Sequence, residues 1–266
     1  MKFSIFQQSR QGGRKYNQDR VAYSYSKDAV LMVVADGMGG HFHGEVAAQI
    51  TVQMIADMFQ KHAQPALKDP HRFLAAAMNS GHEAILDYTN KHKLMESPRT
   101  TCVAAVVQQN HAYWAHVGDS RLYMFRGMRL VARTKDHSKV QQLHDDGKIS
   151  AQEMYTHPER NKIYNCLGGF LPPEIDLGKR MPIRDGDTLM LCSDGVWSVL
   201  SEAEIASIID TYIITRAIPE LLDDAEFRGG EDGDNLSAVG MTWGEPQQRG
   251  LHHDTGSTAA MPLEDV

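Results

Sequence analysis

Apolar residues recur along this chain in two spacings. Gly44 to His62 carries Val46, Ala47, Ile50, Met54, Ile55, Met58 and Phe59 at steps of three and four, the single stripe of an amphipathic helix. Pro70 to about Lys91 repeats it with Phe73, Leu74, Ala77, Met78, Ile85 and Leu86, and Pro70 suits a first helical turn. Other stretches are short and strand-like. Residues 3–8 and 21–25 flank a polar turn that carries Arg14 and Asp19, and 30–35 (VLMVVA) is a continuous apolar run. Between 100 and 133 the texture is TTCVAAVVQ, HAYWAHV, RLYMFR and MRLVAR, with Arg126-Gly127 as a hairpin signal. Residues 136–168 are polar and rich in His, Asp and Asn, too long for a simple connection, so they read as a functional insertion. Strands return at 175–181 and 188–193, joined by Asp185-Gly186-Asp187. Helices follow at about 201–213 and 216–228, then a strand at 235–243.

Strand blocks and helix blocks are therefore segregated, and the strands are joined by hairpins. This order predicts an α+β layered domain, with antiparallel sheets covered by helix pairs and not a doubly wound parallel sheet. Residues 1–243 are expected to form the domain. The segment 244–266 has Gly, Pro, Gln, Ser and Thr without periodicity and is expected to be a disordered tail.

Composition narrows the function classes. The 266 residues include 27 Lys and Arg against 34 Asp and Glu, net charge −7, with no basic tract, which argues against a nucleic-acid partner. No apolar run approaches the ~18 residues of a membrane span, and the N-terminus lacks a signal-peptide h-region. Cys102, Cys166 and Cys192 form no CxxC pair and read as reduced, buried thiols of a cytoplasmic protein.

Four aspartates carry the chemistry. Asp36-Gly37 closes the run 30–35, Gly118-Asp119 closes 112–117, Asp194-Gly195 closes 188–193, and Gly233-Asp234 opens 235–241. A carboxylate at a strand end is rigidly held yet faces water. Several converging make an all-oxygen site that suits Mg²⁺ or Mn²⁺ and not zinc. Glycines beside them let main-chain oxygens approach an ion. Arg14 lies five residues before Asp19. Its planar fork matches phosphate oxygens, which points to a phosphorylated substrate, against the blander reading of a surface ion pair.

In order and spacing, RxxNxD, DGMGGHxxGExA, GDSRxY, TKDHS, HPxRNxI, SDGVW and DN, spread from Gln11 to about Met241, resemble the PP2C (PPM) family of metal-dependent serine/threonine protein phosphatases. Residues 136–168 resemble the segment called the flap in bacterial members. The resemblance implies a four-layer αββα sandwich, two antiparallel sheets flanked by helix pairs, with a binuclear Mn²⁺ or Mg²⁺ centre at one end. Carried over by position, Asp36 bridges the two ions, the Gly37 carbonyl binds the second, and Asp194 and Asp234 bind the first. Asp19 orients water, Asp119 with Asp194 matches the ligands of a weaker third ion, and Arg14 holds the substrate phosphate. The implied reaction is hydrolysis of phosphoserine and phosphothreonine in proteins by a metal-activated water, with no covalent phosphoenzyme. The implied partners are phosphorylated proteins, a Ser/Thr kinase and its substrates, and the protein is expected to be monomeric.

Two positions depart from the family pattern. Gln18 stands where many members have an acid. Met38 stands where the eukaryotic branch has the histidine assigned to the leaving group, which leaves His41, His137 and His157 as candidates. The competing reading is a pseudophosphatase or adaptor that binds a phosphoprotein or kinase without turnover. The full set of ligand aspartates argues against it.

Overall fold

A computed structural model describes residues 1–38 and 43–245. Its core is two antiparallel sheets packed face to face. One has the order β1 (Phe3–Arg10), β11 (Leu236–Trp243), β10 (Asp187–Cys192), β6 (Arg121–Arg126) and β7 (Arg129–Arg133). The other has the order β2 (Asp19–Tyr25), β3 (Ala29–Asp36), β4 (Cys102–Gln108) and β5 (His111–Val117). The two-residue strands β8 (Asp176–Leu177) and β9 (Met181–Pro182) both pair with β5. The expected α+β sandwich is present.

The continuous apolar run of β3 has a simple cause: both faces of the strand are covered. Val30, Met32 and Val34 pack between the sheets with Val103, Leu122, Leu191 and Met241. Leu31, Val33 and Ala35 point the other way, onto α1 (Gly44–His62) and α2 (Pro70–His92). The second sheet is covered likewise. Tyr123, Phe125, Met190 and Ala238 meet Ile205, Ile209, Ile218 and Leu222 of α5 (Glu202–Thr211) and α6 (Ile214–Gly229). The result is four layers, helix pair, sheet, sheet, helix pair.

Helix ends follow local chemistry. Asp69 caps α2 by accepting from the Arg72 N–H at 3.1 Å. Ser201 and Glu204 form a reciprocal capping box at α5. The buried side of α1 runs through Gly44, Ala47, Ala48, Thr51, Val52, Ile55 and Phe59, so Val46 and Met54 sit at its margin and not at its centre. The small residues let α1 and α2 approach closely, with Gly81 directly over Thr51.

Three expectations need correction. The break between the last two helices falls at Tyr212 and Ile213, both extended, so α5 ends at Thr211 and α6 starts at Ile214. The strand expected over 175–181 is interrupted around Gly178, whose position faces the Trp114 indole so closely that a Cβ would lie 2.0 Å from its nitrogen. Gly244 and Glu245, expected in the tail, are tied down: the Gly244 N–H donates to the Lys2 carbonyl at 2.9 Å, and Glu245 pairs with the Lys2 ammonium. The remainder of the tail, and His41, lie outside the described residues.

Within the insertion, α3 (Lys139–Asp145) is capped by Ser138, and a 3₁₀ turn covers Glu153–Tyr155. Among the described residues no helix is long and apolar enough to cross a membrane.

Candidate metal centre

One end of the sandwich collects the acidic residues. Asp19 begins β2 and Asp36 ends β3, and the two are cross-strand partners. Asp194 follows β10 and is the first residue of a single-turn helix, α4 (Asp194–Trp197). Asp234 immediately precedes Asn235 and β11. Asp119 sits in the turn between β5 and β6. That turn needs glycine, because Gly118 has φ +97° and a Cβ there would lie 2.6 Å from Thr101.

The carboxylates are positioned by a mix of backbone and side-chain contacts. The Asp36 N–H donates to Thr101 Oγ1 at 3.2 Å, and its carbonyl accepts from the Thr101 N–H and the Thr100 hydroxyl at 2.9 and 2.8 Å. Gly37 is buried, and a Cβ would meet the Gly44 backbone at 2.4 Å, so α1 begins hard against the Asp36-Gly37 turn. Ser193, unassigned by sequence reasoning, donates its hydroxyl to Asp19 Oδ2 at 2.6 Å. Asn235 ties the Arg14 loop to β11: its Nδ2 donates to the Gln11 and Tyr16 carbonyls, and its Oδ1 accepts from the Gln18 N–H. The only trace of these roles in the sequence is the residue next to each motif aspartate.

The electrostatics show how closely the acids are grouped. Burial, then the charges of Asp19, Asp194, Asp119 and Asp234, push the Asp36 carboxyl well above the carboxylate range. Burial and the charges of Asp234 and Asp19 lift Asp194 to about 7. Asp19 is lifted to about 6, mainly by burial, against the Ser193 hydrogen bond. Asp119 is raised well above the usual range by burial and by Asp194. Two deeply buried oxygens, Asp19 Oδ1 and Asp119 Oδ1, have no hydrogen-bond partner among the described residues. Acids crowded enough to resist ionising together, with unpartnered buried oxygens, form a hard anionic donor set that fits Mg²⁺ or Mn²⁺.

Arg14 lies on this cluster. Its Nε and Nη2 donate to the two oxygens of Asp234 at 2.8 and 2.7 Å. The guanidinium expected to face phosphate is thus forked onto an expected metal ligand. Arg14, Asp119, Asp194 and Asp234 line a cavity of about 410 Å³, whose wall includes Val140, His144 and Tyr155 of the 136–168 insertion.

A second buried network lies behind Asp119. Arg121, 2% exposed, forks onto Asp136 at 2.8 and 2.6 Å and donates to Tyr123 Oη at 3.0 Å. Its guanidinium carbon lies 3.6 Å above the Trp197 ring, and the Trp197 indole N–H donates to the Asp119 carbonyl at 2.9 Å. This joins the GDSR and KDH motifs, which flank the β6–β7 hairpin, to the distant SDGVW motif.

Of the histidines named from the sequence, His137 and His157 fall elsewhere. His137 Nδ1 accepts from the Gly118 N–H at 3.2 Å and from the Asn165 amide at 2.7 Å, which places its proton on Nε2, facing Asp176 at 3.3 Å. It serves as a structural tether of the Asp119 turn. His157 Nδ1 accepts from the Glu159 N–H within the flap. His116, His137 and Asp176 bring ligand atoms within 4.8 Å of one another. The two imidazoles are stacked with centroids 4.6 Å apart, and the His137 nitrogen facing Asp176 carries the proton, so they do not aim two lone pairs at one ion.

A sequence model of the family described as Protein phosphatase 2C matches residues 7–220. The serine/threonine phosphatase stp of Listeria monocytogenes serotype 4b is 32% identical over 222 residues, covering 82% of this chain and 88% of that one. The structure is similar to that of serine/threonine phosphatase Stp1 from Staphylococcus aureus, with TM-score 0.83 at 27% identity over 92% of this chain and 96% of the other. It is also similar to the catalytic domain of serine/threonine protein phosphatase PstP in complex with two manganese ions, with TM-score 0.77 at 29% identity over 90% and 97%. By sequence and fold together, the chain belongs to the protein phosphatase 2C family.

Proposed function

We propose that this chain is a metal-dependent phosphatase of phosphoserine and phosphothreonine in proteins, and that residues 1–243 form its catalytic unit. The observation that carries the reading is the convergence of Asp19, Asp36, Asp119, Asp194 and Asp234 at one cleft beside Arg14. Asp36, the Gly37 carbonyl, Asp194 and Asp234 would hold two Mn²⁺ or Mg²⁺ ions, and Asp119 with Asp194 a weaker third. Such ions supply Lewis acidity toward phosphoryl oxygens and an activated water.

The chain's own residues do the rest. Arg14 offers two parallel donors to a dianionic phosphate and stabilises charge on its equatorial oxygens. Asp19, fixed by Ser193, keeps its buried Oδ1 beside Asp36, where it would orient water held by the ions. The flap wall contacts the polypeptide around the phosphorylated residue, which makes phosphoproteins, including a Ser/Thr kinase and its targets, the partners this reading assigns.

A phosphothreonine peptide tests the proposal. EDTA should abolish phosphate release and Mn²⁺ should restore it. Unchanged release in metal-free buffer refutes the metal chemistry. Peptide binding without release at saturating Mn²⁺ would instead make the protein an adaptor.

A further inference from the structure

We propose that Arg14 and a divalent cation compete for the carboxylate of Asp234, so that phosphate binding and metal binding reinforce each other through one arginine. The inference rests on the reading of Asp234 as a metal ligand. The fork occupies both Asp234 oxygens, and the Asn235 N–H takes a further site on Oδ1 at 2.8 Å. A carboxylate has about four lone-pair positions, so little remains for an ion, and an approaching cation also meets the guanidinium charge.

The exchange is built into a rigid frame. The Arg14 loop is pinned at its main chain: the Gln11 amide donates to the Arg14 carbonyl at 2.7 Å, and the Gly13 N–H donates to Gly233 at 3.1 Å. Gly12 lies so close to Asp234 that a Cβ there would sit 2.1 Å from its carbonyl oxygen. The side chains, by contrast, are in contact with water, Arg14 54% and Asp234 36% exposed. A rotamer change of Arg14 is therefore enough, with no loop movement. The fork that fits a carboxylate also fits a phosphate.

Linkage then runs both ways. Phosphate draws Arg14 from Asp234 and frees the carboxylate for the ion. The ion displaces Arg14 and frees it for phosphate, by the same factor. Without a cation the arginine stays on Asp234, and the protein holds phosphoproteins weakly when it cannot process them.

Calorimetric titration of Mn²⁺ into the EDTA-stripped, dialysed full chain tests this, with and without inorganic phosphate. Arg14→Ala and Arg14→Gln should each bind Mn²⁺ roughly 3- to 30-fold more tightly than the parent, the range for losing one partly exposed charged fork. Phosphate should tighten Mn²⁺ binding more in the parent than in either variant, since only direct phosphate–metal contact remains in the variants. Thermal melts in EDTA check folding. Should Arg14→Ala melt early, Arg14→Gln, which keeps the stem, carries the comparison. Asp234→Ala separates the two levels. If it weakens Mn²⁺ binding while the Arg14 variants leave it unchanged or weaker, the competition is overturned and the site stands. If it leaves Mn²⁺ binding unaltered, Asp234 is not a ligand and the site reading fails with it.

Discussion

Asp194→Asn should stabilise the metal-free protein at alkaline pH more than at acid pH. The folded carboxyl titrates at about 7 against an ordinary 3.8, because it is buried beside Asp234 and Asp19. A carboxyl with a raised folded pKa costs the fold stability as pH climbs from the unfolded value to the folded one, and the loss is complete above it. Between pH 5 and pH 8 about two pH units of that window are crossed. At ~1.4 kcal/mol per unit this is roughly 2.7 kcal/mol, and partial solvent contact reduces it to about 2 kcal/mol. Asparagine has no such cost. For a domain of this size, about 2 kcal/mol corresponds to a Tm difference of roughly 4–8 °C. Scanning calorimetry in EDTA at both pH values, on parent and variant, reads it as a difference of differences. His82 and His116, whose pKa values burial lowers, act with the opposite sign, gaining stability as pH rises toward 6.5 and little beyond it. They are common to both proteins and cancel. Equal Tm shifts at the two pH values, or a variant less stable at pH 8, would refute the crowded-carboxylate picture. With saturating Mn²⁺ the order should invert, because under the proposed assignment the parent alone keeps every carboxylate that would hold the ions.

Arg14→Ala should lower kcat/KM on a phosphothreonine peptide roughly 10- to 150-fold, mostly through KM, the range for one charged hydrogen-bonding group; unaltered steady-state kinetics would make it a surface pair. Arg121→Ala should destabilise the fold by about 3–5 kcal/mol in urea titrations, because Asp136 would stay buried without its cation. His144→Ala, which removes the Nδ1 contact to the Ile149 carbonyl in the flap, should slow phosphopeptide turnover and leave p-nitrophenyl phosphate nearly untouched. Equal losses on both substrates would show that the flap supports the metal centre itself.

The helices at 44–62 and 70–92 were legible because each buries one stripe, and β3 and β4 because each is covered on both faces. The turn of helix at Asp194–Trp197 was not, since four residues carry no period. The strand around Gly178 was misread because its interruption depends on Trp114, distant in sequence. Asp36, Asp119, Asp194 and Asp234 were legible as aspartates paired with glycine at strand ends, and the family resemblance ordered them and added Asp19. The contacts that organise them were hidden. Arg14 and Asp234 are 220 residues apart, and Arg121 meets Trp197 only through the fold. Pairings of that range leave no periodic trace; they follow from which strand ends share one edge of the sandwich.

The pairing of β1 with β11 sets the order in which the active end can be made. Phe3–Arg10 has β11 as its sheet neighbour, in register from Phe3↔Trp243 to Arg10↔Leu236, and Asp234 and Asn235 enter with that last strand. During synthesis at about 5–20 residues per second, β1 waits on the order of 10–50 s for its partner. Until then the Arg14 loop lacks its Asn235 anchors and the carboxylate cluster lacks Asp234. A nascent chain therefore carries Asp19 and Asp36 long before Asp234 joins them, and the cluster is completed only when the strand at 236–243 docks.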